Sequence, residues 1–476
     1  MTSRLSTARA EPRDAAARPV VTVWVLGFTC LVASLGQSLV VPLLPVLPER
    51  LGVSAGAVTW LVTITVLAAA VANPLLGRLG DQFGLRRVLL VTVGAYVAGS
   101  VVCLVPGGFV VLLVGRGLQG AASAAIPLSI SLMGAVLPRR ERANGIALAS
   151  AMMGVGGAVG LPLTGILNAW GGLTTVFLVT AVGGLLALVA IRLLVPVPAA
   201  GDSGTPVDLV GSLLLVGLLV LLLLPLSRGT AWGWASPATI GTVLAGLVVA
   251  VAFARVELRR RHPVVDLRLA ATRAALLINI ASVLVGMTLF VNFLGSMQML
   301  QAPRETGYGL GMDTLTAGLW MLPGGMLMAL ASPVAARLTM RVGSRACLLV
   351  GVAVLVAGAV PRAVAPDSLT MIVVSSAVAS VGTAIAYCAL PAMVLDSTPA
   401  HRSAAANGLN ALARSAGTAV ASATLGALVG LGTAGMVGFF VVGAAASVVA
   451  LVLVLSLPRG LGRPGEAAVV PGAAMS

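Results

Sequence analysis

Apolar runs of about 20 residues recur along the whole chain, separated by short clusters of arginine, proline and glycine. A helix of that length spans roughly 30 Å, the thickness of a bilayer's hydrocarbon core. Inside hydrocarbon every backbone N–H and C=O must find a partner within the protein, which restricts such a run to a helix or to a strand of a closed barrel. Barrel strands would show segments of about 10 residues with alternating polarity. Here Leu, Val, Ala and Gly follow one another without alternation. The chain therefore reads as an all-α polytopic membrane protein. With 59% of residues hydrophobic and only 9% charged, too little polar surface is left to cover a soluble domain.

The formal net charge of +15 would point to nucleic acid in a soluble chain. In a membrane protein, basic residues instead collect on the cytoplasmic side, and no nucleic-acid partner is expected. All 29 basic residues are arginine, a bias that with the excess of Ala, Gly and Val resembles a GC-rich bacterial coding sequence. A phosphate-binding loop needs a lysine, so no nucleotide site is expected. Cys30, Cys103, Cys347 and Cys388 lie singly in apolar segments and read as small buried hydrophobes. His262 and His401 sit among arginines in loops without ligand partners, so neither a metal nor a cofactor is expected, and no reactive constellation marks an enzyme.

Fourteen spans are expected, at 21–44, 57–76, 88–106, 109–133, 143–167, 174–194, 208–226, 238–256, 274–297, 314–336, 346–361, 369–393, 405–430 and 435–457. An even number places both termini on one side. Twenty-three of the 29 arginines fall on that side, four on the other (Arg50, Arg228, Arg304, Arg362), and Arg116 and Arg414 lie inside spans. The termini are therefore expected in the cytoplasm. Trp60, Trp170, Trp232 and Trp234 fall at the outer interface and Trp24 at the inner one, as indole prefers. Residues 1–20 are expected to be a disordered cytoplasmic segment with no cleavable signal.

The segment "NPLLGRLGDQFGLRRVLL" (73–90) aligns without gaps with "SPVAARLTMRVGSRACLL" (332–349), matching Pro74 with Pro333, Arg78 with Arg337, Gly84 with Gly343 and Arg86 with Arg345. Asn144-Gly145 and Asn407-Gly408 repeat at nearly the same shift. The pattern suggests a duplicated six-span unit, with bundles at 21–196 and 274–457, a linker and inserted two-helix hairpin at 197–273, and a cytoplasmic tail at 458–476. Two packed repeats in a membrane enclose a site at their interface and rock about it.

The stretch "GRLGDQFGLRRVL" resembles the loop motif after the second span of the major facilitator superfamily, with Gly77, Asp81, Gly84 and Arg86 at the motif positions. "RGLQGAASA" (116–124) resembles its fourth-span motif, carrying Arg116 and Gln119. Fourteen spans, Trp60, "DLVG" (208–211) and "AWGWASP" (231–237) are similar to the fourteen-span drug:proton antiporter branch, a multidrug-efflux type that confers antibiotic resistance. This resemblance implies proton-coupled export of small amphipathic molecules across a bacterial plasma membrane. Two positions depart from the branch. Gly36, beside Gln37, stands where its first-span Asp is usual, and the fifth-span motif appears as "GAVGLPLTGI" (157–166).

Asp81 is an acid among arginines at a span end and reads as an inner gate between the halves, shaped by Gly84 and Arg86. Arg78 and Arg87 serve either the gate or topology alone. Met340 replaces the acid in the second copy, so the latch should be asymmetric. Arg116 is expected deep in its span, either as a proton relay, as the resemblance implies, or as a clamp on backbone carbonyls of a bent helix. Arg414 either adds positive charge to the cavity, favouring anionic cargo, or snorkels to the cytoplasmic surface. Gln37, Gln119, Asn279, Asn292 and Tyr387 are candidate cavity residues, with Ser34 and Ser38 beside them. Asp313 and Glu305 in an outer loop are further proton-site candidates. An anionic metabolite carried without proton antiport, and a non-transporting receptor, are the alternatives. The oligomeric state stays open, with a monomer admitted.

Overall fold

The computed structural model describes residues 18–40, 43, 47–58, 60–197, 208–260, 267–364, 368–398 and 402–458. The segments expected as a disordered N-terminus and a tail lie outside these residues, except for Arg18 to Val20 and Pro458. Those first three residues already belong to a helix, α1 (Arg18–Ser38), which corrects the expected start by one turn.

Every regular element among the described residues is helical. After α1 come two short helices, α2 (Leu47–Leu51) and α3 (Ala55–Val58), then α4 (Trp60–Phe83), α5 (Leu85–Leu104), α6 (Gly108–Ala121), α7 (Ala125–Val136) and α8 (Arg139–Leu194). The chain continues with α9 (Leu209–Trp232), α10 (Pro237–Arg259), the short α11 (Leu267–Ala270), α12 (Arg273–Gln301) and α13 (Thr314–Val342). It ends with α14 (Ser344–Val364), α15 (Leu369–Ser397), α16 (Ser403–Leu428) and α17 (Gly432–Leu455). Eleven segments among the described residues are long and apolar enough to cross a bilayer, against the fourteen expected. One of the eleven, Ser403–Leu455, contains both α16 and α17, which a 3-10 turn at Val429–Leu431 separates. In α8 only Trp170–Leu194 qualifies, and in α9 only a shorter apolar stretch, Val210–Leu222.

The 56 residues of α8 would make a rod about 84 Å long if straight, far more than one bilayer. Gly171 and Gly172 leave helical geometry inside it, and Gly172 takes φ 65°, a value that an L side chain adopts with strain. Two helices therefore meet there, as the separate expected spans at 143–167 and 174–194 require.

Packing follows two groups. In the first, α1 lies against α8, and α5 against α6 and α8; in the second, α12 lies against α15, α16 and α17, and α14 against α15 and α17. The groups meet along two seams, α4 on α16 and α8 on α13. The pair α9 and α10 pack on each other, and α9 leans on both α4 and α16. Leu67 and Ala70 of α4, Leu215 and Leu219 of α9, and Leu412 of α16 form one buried cluster there. On the far face of the pair, Leu244, Leu247, Val248 and Val251 are exposed, as a face turned to lipid is.

The repeated loop motif folds alike in its two copies. Gly84 (φ 97°) and Gly343 (φ 88°) make the same tight turn between consecutive helices. The arginine two residues later then caps a helix end: Arg86 donates to the carbonyls of Ile191 and Arg192 at the end of α8, and Arg345 to those of Leu455 and Leu457 at the end of α17. A cation suits the negative end of a helix, where carbonyls lack intrahelical donors.

Candidate functional site

Asp81, near the end of α4, reaches across the first seam. Its Oδ1 accepts from the backbone N–H of Ala404 at 3.0 Å and its Oδ2 from that of Ala405 at 2.8 Å. These N–H groups belong to the first turn of α16, where backbone donors lack intrahelical partners and the helix dipole favours an anion. Two close approaches permit the reach. A Cβ on Gly77 would lie 2.6 Å from the Ala404 carbonyl oxygen, and one on Gly408 would strike the Asn73 carbonyl. A further bond crosses between the groups, Asn407 of α16 donating to Ser131 of α7 at 3.1 Å, while within the first group Ser123 donates to Asn73 of α4 at 3.0 Å. The motif residues Gly77, Asp81, Gly84 and Arg86 thus act at two places, the first pair at the α4–α16 contact and the second at the turn and the α8 cap.

Arg116, 2% exposed, lies in α6 just before the 3-10 turn at Ala122–Ala124. Its Nη1 donates to the Gly36 carbonyl and to Gln119 Oε1, both at 2.8 Å, and Gln119 passes the chain on to Ser100. No carboxylate faces this arginine among the described residues. At Gly36, a Cβ would run into the hydroxyl and ring of Tyr96, whose Oη donates to the Val32 carbonyl at 3.1 Å. The position has no room for an acid with Tyr96 where it stands. The backbone carbonyl of Gly36 meets the arginine instead.

Arg414, 7% exposed, forms the counterpart in the second group. Its Nη1 donates to Asn410 Oδ1 on the same helix face, and its guanidinium carbon lies 5.2 Å from the centre of the Tyr387 ring, within cation–π range. Asn410 Nδ2 in turn donates to Asn279 Oδ1 at 3.2 Å and to Ser282 Oγ at 2.7 Å on α12. Arg414 is therefore held inside the protein by α12, α15 and α16, and does not extend to the surface.

Of the sequence candidates, Asn279, Tyr387 and Arg414 come together, and Gln119 joins Arg116. Asn292 is buried further along α12, outside either network, and Gln37 is exposed. Ser34 and Ser38 donate to the carbonyls of Met153 and Gly156, and so bind α1 to α8. Asp313 caps α13: hydrogen bonds from the Thr316 hydroxyl and backbone, and from Leu315 N–H, hold its carboxyl below the usual carboxylate range. Such a group stays ionised and makes a poor proton carrier. Glu305 lies in an exposed 3-10 turn, with no direct tie to either arginine network among the described residues. Arg362, counted among the four arginines of the opposite side, is fully buried, with its guanidinium 4.5 Å from the Phe440 ring centre and Nη2 3.1 Å from the Met299 sulfur. Sequence reasoning also missed Asn410, whose signal was available: it lies one helical turn before Arg414.

The family model described as Major Facilitator Superfamily matches residues 26–422 and, in a second alignment, 276–470. The chain belongs to this superfamily. It is a multi-pass membrane transporter and not an enzyme. Among superfamily relatives, the multidrug resistance protein Stp of Mycobacterium tuberculosis is 26% identical over 81% of this chain and 71% of its own length. The tetracenomycin C resistance and export protein of Streptomyces glaucescens is 25% identical over 86% and 76% of the two chains. The lincomycin resistance protein of Streptomyces lincolnensis is 29% identical over 73% and 71%. Solved structures share the fold at low identity. The human organic anion transporter MFSD10 has a TM-score of 0.65 at 18% identity, covering 92% of this chain and 99% of its own. The proton:xylose symporter XylE has a TM-score of 0.66 at 13% identity, covering 93% and 96%.

Proposed function

We propose that this chain is a secondary-active exporter of small amphipathic molecules, antibiotics or related compounds, working by alternating access and driven by the proton gradient. The bundles are residues 21–196 and 274–457, the hairpin lies between them, fourteen crossings place both termini in the cytoplasm, and the membrane is a bacterial plasma membrane. The names of its relatives supply the substrate class, and the arginine distribution supplies the orientation.

The observation that carries the mechanism is the Asp81 carboxylate on the first turn of α16. It joins the two bundles at one end of their seam, and the second copy, with Met340, has no equivalent acid. Hydrogen bonds to a charged group contribute about 1.5–3 kcal/mol each. Two of them hold one end closed yet remain within the range that substrate binding or a proton can offset. The transport cycle then breaks this latch to open the cytoplasmic side and remakes it to close that side.

A second reading, export or facilitated passage of an anionic metabolite without classical proton antiport, is favoured by Gly36, which leaves Arg116 facing a carbonyl and no acid. Substrate flux into inverted vesicles separates the two. Export by proton antiport requires flux to collapse when the pH gradient is dissipated; unchanged flux discards antiport and retains the facilitator.

A further inference from the structure

We propose that Arg414 is the anion-binding element of the transport site, so that the substrate is a small amphipathic molecule carrying one acidic group, such as a carboxylate, beside an apolar or aromatic body. This rests on the export reading above and narrows its substrate class.

The argument begins with the backbone. Gly286 on α12 and Gly417 on α16 have no room for a Cβ: each would strike a carbonyl of the opposite helix, that of Arg414 and that of Val283 respectively. The two helices thus touch along their backbones, and the Cα of Arg414 is held at the contact. The side chain is fixed next. Asn410 can present its oxygen to Arg414 because its amide nitrogen is already committed to Asn279 and Ser282. The Tyr387 ring supports the guanidinium at 5.2 Å.

A guanidinium carries five N–H donors. Among the described residues, protein acceptors take one of Arg414's, and none is a carboxylate. Burying an arginine without a counter-charge is costly in an apolar surrounding. A site that holds such a charge rigidly and leaves its donors open is built for an anion, and one guanidinium neutralises one unit of charge. Arg116 differs. It is packed at 2% exposure against Gly36, Gln119 and Tyr96, and its Nε is sealed without a partner, whereas no nitrogen of Arg414 is sealed in this way. Arg116 therefore holds α6 to α1, and Arg414 meets the ligand. Met287, five residues beyond Ser282 on α12 and with its backbone nitrogen beside Gly417 of α16, supplies a soft apolar surface for an aromatic body.

Rhodamine 110, which bears a free carboxylate, and rhodamine 123, its methyl ester, differ at that group alone. Their binding to the purified full chain in nanodiscs, and their uptake by proteoliposomes, tests the proposal. The parent should bind the acid about tenfold tighter than the ester. Arg414→Gln should erase that preference with ester binding little changed, and Arg414→Lys should keep part of it. Equal loss of both dyes in Arg414→Gln would assign Arg414 a structural role, and an acid preference that survives the substitution would place the anion elsewhere. Either overturns the subsite. A parent that carries the ester without favouring the acid also overturns it while leaving export intact, and a parent that carries neither dye overturns both.

Discussion

Gly36 illustrates how one missing side chain constrains the chemistry of this transporter. Because Tyr96 occupies the space in front of it, Gly36→Asp should not restore a proton site. It should destabilise the protein, and Gly36→Ala alone should cost about 1–3 kcal/mol by overpacking, read as a lower melting temperature in detergent. Restored fold stability in Gly36→Asp, with new pH-dependent flux, would contradict this. Asp81 makes the opposite case, a side chain whose charge and geometry both matter. Asp81→Ala removes an N-terminal cap from α16, a loss of about 0.5–2 kcal/mol, and should let that end of the seam open freely. Asp81→Asn keeps one acceptor oxygen but loses the charge and one of the two bonds, so labelling by a thiol reagent of a cysteine introduced at Ser403, in the first turn of α16, should fall between parent and Ala; the four native cysteines are buried. At Asp313 the carboxyl is held below its ordinary range, so it remains charged at neutral pH and loses its capping role only on acidification. Asp313→Asn should leave the pH profile of transport unchanged near neutrality.

At the scale of helices, the two loop motifs share one design. A glycine with positive φ turns the chain, and the arginine two residues on caps a distant helix end. Arg86→Ala and Arg345→Ala should each destabilise their own group by a comparable amount, on the order of 1–3 kcal/mol for a hydrogen bond to a charged donor. Arg86→Ala should do so without releasing the contact between α4 and α16. Hydrogen exchange at the end of α8 in the one variant, and at the end of α17 in the other, is the measurement. Loss of protection at α16 in Arg86→Ala would show that the cap and the latch are one unit. The loop motif itself was legible from residues: Gly84, Arg86 and Asp81 stand at expected places. What Arg86 touches was not, since Ile191 lies over a hundred positions away and a bare carbonyl leaves no mark in a sequence.

For the whole molecule, the reciprocal seams, α4 on α16 and α8 on α13, suit two bodies that rock against each other. A covalent tie across the first seam should therefore stop transport. Ideal Cβ positions place Gly80 of α4 3.8 Å from the Ala404 Cβ of α16, the separation of a disulfide. The Leu128 side chain beside Gly80 must shift to admit the cysteine. Gly80→Cys with Ala404→Cys should lose flux on oxidation and regain it on reduction. Undiminished flux in the oxidised pair would mean that this end need not open.

The sequence by itself determined that the chain is helical and membrane-spanning, because hydrocarbon accepts no unpaired backbone and the apolar runs have the length of its core. It also determined the duplicated loop motif and the two interior arginines, because charge inside an apolar run is costly enough to stand out. Only the tertiary structure decided what those charges meet. Arg116 faces the carbonyl of Gly36, Arg414 lies between Asn410 and Tyr387, Arg362 is buried beside Phe440, and Asp81 caps a helix from the other end of the chain. Backbone carbonyls, ring faces and helix ends carry no residue signature, and they come into reach only when helices distant in sequence pack together.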